Sequence, residues 1–168
     1  DLFVAWSEED GGKWICYEGC SFWTTVDLYV SRRSGGTWTD VNYDDRLSVL
    51  DGIFTNAVSS SLATSPDGGI FLAWQEYTGL FQYANVYVWT WTEVNGWNAK
   101  GPNDGLLNAY EGESSSQNPV VKANGQDSYI LWSENNGSDS LLHVRKWDDA
   151  VDSGSWVGLS NEEESLLL

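Results

Sequence analysis

Three tryptophans, Trp38, Trp97 and Trp156, stand 59 residues apart along the 168-residue chain, and each closes one copy of the same pattern. The middle copy reads Ile70-Phe-Leu-Ala-Trp-Gln-Glu76, then Asn85-Val-Tyr-Val-Trp-Thr-Trp91, then Gly96-Trp97. The first copy is Leu2-Phe-Val-Ala-Trp-Ser-Glu8, Asp27-Leu-Tyr-Val30 and Gly36-Thr-Trp38. The third is Tyr129-Ile-Leu-Trp-Ser-Glu134, Leu142-His-Val144 and Gly154-Ser-Trp156. The Trp-x-Glu anchors at 6, 74 and 132 are less evenly spaced because the first copy holds a longer loop. A fixed period of this size restricts the chain to a propeller, a solenoid or another array of equivalent units.

Within the period, the residues read as strands. In the second copy, Ser61-Leu-Ala-Thr64 is a short first strand and Ser65-Pro-Asp-Gly-Gly69 a turn. Pro and Gly in that turn supply backbone angles other residues resist. Ile70 to Glu76 is apolar on both parities, as expected of a strand sandwiched between two layers. A hairpin loop over 77–84, a third strand over 85–92 and a fourth around Trp97 complete the unit. The third copy repeats it with strands at Pro119–Lys122, Tyr129–Glu134, Leu141–Trp147 and Trp156–Leu159. The repeats cover about residues 1–56, 57–113 and 114–168 of one domain.

The first copy begins at its second strand, while Glu164-Ser-Leu-Leu-Leu168 lies where a further first strand would start. The expectation is that the first sheet lacks its innermost strand unless the C-terminal residues supply it. Asp1 opens the sequence without an initiator methionine or signal peptide, as in a processed product or a segment of something longer.

Charge narrows the partners. With 25 acidic and 8 basic residues, the net charge is −17. Phosphate binding needs a basic surface, so nucleic acid and anionic membranes are excluded as partners, and no apolar run approaches a membrane span. The balance suits an extracellular or cell-surface setting. Cys16 and Cys20 are a disulfide candidate in the long loop of the first copy. With His143 as the one histidine, a zinc site lacks ligands, and no metal or cofactor is expected. A structural calcium stays open, because Tyr43-Asp-Asp45 and Asn135-Asn-Gly-Ser-Asp139 are carboxylate-bearing turns without EF-hand alternation. Asn136-Gly-Ser138 is a glycosylation sequon.

The candidate ligand residues are Trp6 with Glu8, Trp74 with Glu76, and Trp132 with Glu134. Residues two apart on a strand share a face. An indole beside a carboxylate can hold a sugar, the ring against its C–H face and the carboxylate on its hydroxyls. The same pair can instead pack between sheets, with the glutamate bonded at the strand end. For catalysis the residues offer little: no Gly-x-Ser-x-Gly elbow, and a lone His143 in mid-strand.

Ser61-Leu-Ala63, Phe71-Leu-Ala-Trp-Gln-Glu76, Val86-Tyr-Val88, Trp97 and their counterparts resemble a bacterial repeat family of secreted and cell-surface β-propellers. That resemblance implies an all-β fold of about three four-stranded antiparallel blades, belonging to a larger or oligomeric propeller. Ser31-Arg-Arg-Ser-Gly-Gly-Thr-Trp38 is similar to the Asp-box turn of sialidase-like propellers, with Arg33 in place of the aspartate. The sialidase likeness would require convergent arginines, and Arg32, Arg33, Arg46 and Arg145 include an adjacent pair whose side chains leave opposite faces of a strand. The expected function is a non-catalytic, extracellular binding or scaffolding module that assembles with further blades. Its expected partner is a protein or a neutral glycan. The alternatives are a lectin-like propeller using the Trp-x-Glu sites, and a fragment of a glycan-processing enzyme whose catalytic residues lie elsewhere. The three closing tryptophans are expected in equivalent buried positions between blades.

Overall fold

The computed structural model describes residues 1–16, 20–41, 47, 56–64, 68–78, 83–109, 114–124, 127–150, 154–159 and 165–167, with side chains left out at 10, 12–16, 20–23, 78 and 165–167. The chain is built of antiparallel β-sheet in blades. Blade 1 holds β1 (Leu2–Cys16), β2 (Cys20–Ser34) and β3 (Thr37–Asp40). Blade 2 holds β4 (Asn56–Thr64), β5 (Ile70–Thr78), β6 (Tyr83–Thr92) and β7 (Gly96–Ala99). Blade 3 holds β8 (Ser115–Asn124), β9 (Asp127–Asn135), β10 (Ser140–Asp148) and β11 (Ser155–Gly158), and β12 (Ser165–Leu167) follows it. Each blade is a meander of neighbouring strands, and Trp6, Trp74 and Trp132 face Tyr29, Tyr87 and His143 across equivalent pairs. A turn at Pro102–Gly105 has left-handed Asn103 and Asp104 within it and does not propagate as a helix. No helix of the described residues is long and apolar enough to cross a membrane.

Several of the expected boundaries move. The long loop expected to hold Cys16 and Cys20 is instead largely strand, the paired ends of β1 and β2, and β8 starts at Ser115, four residues before Pro119. The first strand of blade 2 starts at Asn56, five residues before Ser61, because the Asn56 Oδ1 accepts a bond from the Val26 amide at 2.9 Å and ties β4 to β2. That contact is also a single parallel pair, Val26 with Asn56, which joins blades 1 and 2 into one sheet. The C-terminal strand does not complete blade 1. β12 pairs with Leu141–His143 of β10 in blade 3, where the fourth strand β11 covers only Arg145–Asp148 and leaves the start of β10 an open edge.

Packing follows from the double-sided apolar strands. Ile70, Leu72 and Trp74 of β5 pack toward blade 1, against Phe3, Ala5, Leu28 and Val30. Phe71 and Ala73, on the opposite parity, pack toward blade 3 with Val86, Val88, Ile130, Trp132 and Trp156. Alternation in a strand places neighbours on opposite faces, so one heptapeptide serves two interfaces. The closing tryptophans are not equivalent in burial. Trp156 is buried and Trp97 half-buried, each against the preceding blade, but Trp38 is 47% exposed, because among the described residues no blade packs on that face of blade 1.

Candidate functional site: blade junctions and the inner strands

The Trp-x-Glu motif forms one repeated unit. The indole Nε1 of Trp6, Trp74 and Trp132 donates to the carboxylate two residues on, at 3.0, 3.0 and 3.1 Å. Each indole stacks on the aromatic ring directly across the sheet: Tyr29 at 5.7 Å, Tyr87 at 5.6 Å and His143 at 5.0 Å between centroids. In blades 2 and 3 the unit is enclosed. Trp74, Glu76, Trp132 and Glu134 are buried, and the Glu134 carboxylate also accepts the Ala109 amide at 2.9 Å. Those four side chains have no open face for a sugar ring, which corrects the reading of repeated ligand sites: the polar atoms of each pair are turned on each other where the preceding blade packs over them. Trp6 is half-buried and Glu8 exposed, so the first unit alone of the three is accessible.

Burial holds the Tyr87 hydroxyl above its ordinary range, the Glu76 carboxylate adds to the rise, and a bond with Asn85 opposes it. A hydroxyl whose pKa is higher folded than unfolded stabilises the fold fully below pH 10 and loses that contribution as pH rises from there through the folded value. Alkaline titration of unfolding should therefore show a decline beginning near pH 10, and Tyr87→Phe should flatten that part of the curve; an unchanged slope in the variant would refute the assignment.

The inner strands carry a second repeated feature. β4 and β8 each contain a register shift, between Val58 and Ser61 and between Gln117 and Val120. The bulged residues Ser59 and Asn118 both have φ of 53° and are both exposed. Non-glycine residues with left-handed φ are uncommon, and their recurrence 59 residues apart marks a device of the repeat. The Asn118 amide donates to Oε1 of the buried Gln75 at 3.2 Å, and the Val121 amide to Ser61 Oγ at 3.1 Å, so blade 2 pins the bulge of blade 3. Sequence reasoning passed over these positions. The signal that could have found them is Asn118-Pro119, since asparagine tolerates the left-handed region and proline ends ladder pairing. Neither β4 nor β8 contains an aspartate or glutamate, in a chain with 25 of them.

The remaining candidates separate. Arg32 donates to Asp1 and Glu93 at 2.5 and 3.2 Å and lies over Trp91, while Arg145 lies over Trp132 in another blade. Arg46 is outside the described residues. His143 is buried, stacked on Trp132, and 3.8 Å from Glu134. In the Asn135–Asp139 turn, Asn136 Oδ1 accepts the amides of Ser138 and Asp139 at 3.0 and 2.9 Å, so the turn's oxygens serve its own backbone. Among the described residues, no group of three or more His, Cys, Asp or Glu is placed to hold a metal ion; Tyr43-Asp-Asp45 lies outside them. The backbone pairs Cys16 with Cys20 across the β1–β2 hairpin, and their side chains lie outside the described ones.

Fold and repeated units together define a β-propeller segment of three blades. No protein-family model matches the chain, and no curated protein matches it. Among solved structures it is similar to the GH43 endo-arabinanase from Bacillus licheniformis, with a TM-score of 0.37 and 16% identity over 95% of this chain. The chain spans 59% of the length of that structure. The likeness corrects one expectation. The protein it resembles is an enzyme, so the missing nucleophile elbow and the mid-strand histidine do not make this chain non-catalytic, and that reading is dropped.

Proposed function

We propose that the chain supplies three blades to a glycan-handling β-propeller, and that the inner strands β4 and β8 form part of the wall against which a neutral glycan rests. The observation that carries this is the paired left-handed bulge at Ser59 and Asn118 on strands free of carboxylates. Blades of a propeller surround a central channel, and a bulge beside it re-aims side chains from the pleat. Serine hydroxyls and asparagine amides both donate and accept, as the vicinal hydroxyls of a sugar require. A polyanion would meet repulsion from the −17 charge, and a neutral ligand would not. An extracellular or cell-surface setting accords with the same acidic charge.

The test is a screen of neutral and uronate- or sialate-bearing oligosaccharides on the purified chain. Neutral ones should bind, and Asn118→Asp should weaken them at least tenfold while the thermal midpoint moves little. Preference for the anionic set, or neutral binding indifferent to Asn118→Asp, would overturn the reading.

A further inference from the structure

We propose that a second copy of this chain docks on the open face of blade 1, and that two copies close head to tail into one ring. This goes beyond the glycan reading and does not depend on it. Both junctions inside the chain are built alike. At each, the Trp face of one blade meets the Phe-Ala face of the blade before it. At each, the closing indole donates to a backbone carbonyl 56 residues earlier: Trp97 Nε1 to the Val41 oxygen, and Trp156 Nε1 to the Lys100 oxygen at 2.8 Å. At each, a side chain at the start of the following blade accepts an amide of the preceding blade, three residues before the tyrosine that stacks on the Trp-x-Glu indole. Asn56 Oδ1 takes the Val26 amide at 2.9 Å and Ser115 Oγ the Ala84 amide at 3.2 Å.

Among the described residues, the same parts are uncovered on the outward faces of blade 1 and blade 3. On blade 1, Leu2, Val4 and Trp38 are 55%, 42% and 47% exposed. Their repeat counterparts in blade 2 are Ile70 and Leu72, which are buried, and Trp97, which is half-buried. On blade 3, Leu131 and Val144 are half-buried where the corresponding Ala73 and Val88 are fully buried. Leu159, the position 59 residues after Lys100, is 54% exposed. One end thus presents the donor indole and the Trp face, and the other presents the acceptor carbonyl and the apolar face that receives them.

Because the two halves of a junction sit on opposite ends of one chain, the contact is heterologous, and a ring results if the rotation closes. Two copies give six blades, within the range of single propellers. In the assembly Trp38 of one copy donates to the Leu159 carbonyl of the other. Two chains of charge −17 repel, so screening by salt should favour the pair.

Sedimentation equilibrium of the full chain at about 0.15 and 0.5 M salt reads the outcome. The expected mass is twice 18.7 kDa, with tighter association at the higher salt. Val4→Asp on blade 1 and Val144→Asp on blade 3 should each weaken self-association at least tenfold. Mixing the two variants should restore pairing, because one undamaged junction forms between them. Trp38→Ala, at an exposed position, should weaken association without lowering the thermal midpoint of the dissociated chain. A monomer at all concentrations, or a mixture of the Asp variants that pairs no better than either alone, would overturn the proposal. The first outcome would assign the open face to a different partner, and the second would mean that like faces meet like.

Discussion

Trp74→Ala should lower the unfolding free energy by about 3–5 kcal/mol, while the identical change at Trp6 should cost about 1 kcal/mol. Both tryptophans sit in the same sequence pattern, donate to a glutamate two residues on and stack on a tyrosine across the sheet. They differ in enclosure. Trp74 lies between blades 1 and 2, in van der Waals contact with a core that cannot collapse fully into the space it leaves. Trp6 borders an open face. Urea denaturation of both variants at dilutions where the chain is a monomer decides the matter. For a chain of this length the larger effect corresponds to a fall in thermal midpoint on the order of 10 °C. Equal losses at the two positions would mean that blade 1 is as enclosed as blade 2, contrary to the packing described.

The second large effect is expected at Glu134. Its carboxylate accepts the indole N–H of Trp132 and the backbone N–H of Ala109, and it is fully enclosed. Glu134→Ala strands both donors away from water, and each unsatisfied buried group costs about 1–3 kcal/mol, so a loss of about 2–5 kcal/mol is expected. Glu134→Gln keeps one acceptor oxygen and should retain part of the difference. Glu8→Ala, at the exposed counterpart, should change stability by no more than about 0.5 kcal/mol. Chemical denaturation of the three variants supplies the ranking. Tolerance of Glu134→Ala would show that the carboxylate is dispensable to blade packing and would return it to consideration as a ligand group.

Much of the fold was legible in the residues. The 59-residue spacing of Trp38, Trp97 and Trp156 set the number of blades, and Ile70 to Glu76, apolar on both parities, identified a strand packed on two sides. The candidate site was less so. Trp-x-Glu reads the same whether it greets a sugar or a neighbouring sheet, because the residue types that bind sugars also fill inter-blade space. Ser59 lies in a run of three serines whose sequence gives no sign of a bulge, and only the register shift and the backbone angle of the structure single it out.

By itself, then, the sequence determined the strands, their order within each blade and the faces on which their apolar residues stand. These depend on periodicity and turn residues, which are local. Tertiary structure alone decided which copies of a repeated motif are buried. Trp38 and Trp156 close identical patterns, yet one is exposed and one enclosed, since burial is a property of the neighbour and not of the residue. It also decided the fate of the C-terminal strand. Ser165–Leu167 pairs with β10 instead of completing blade 1, because a free edge with open backbone donors lay beside it in blade 3.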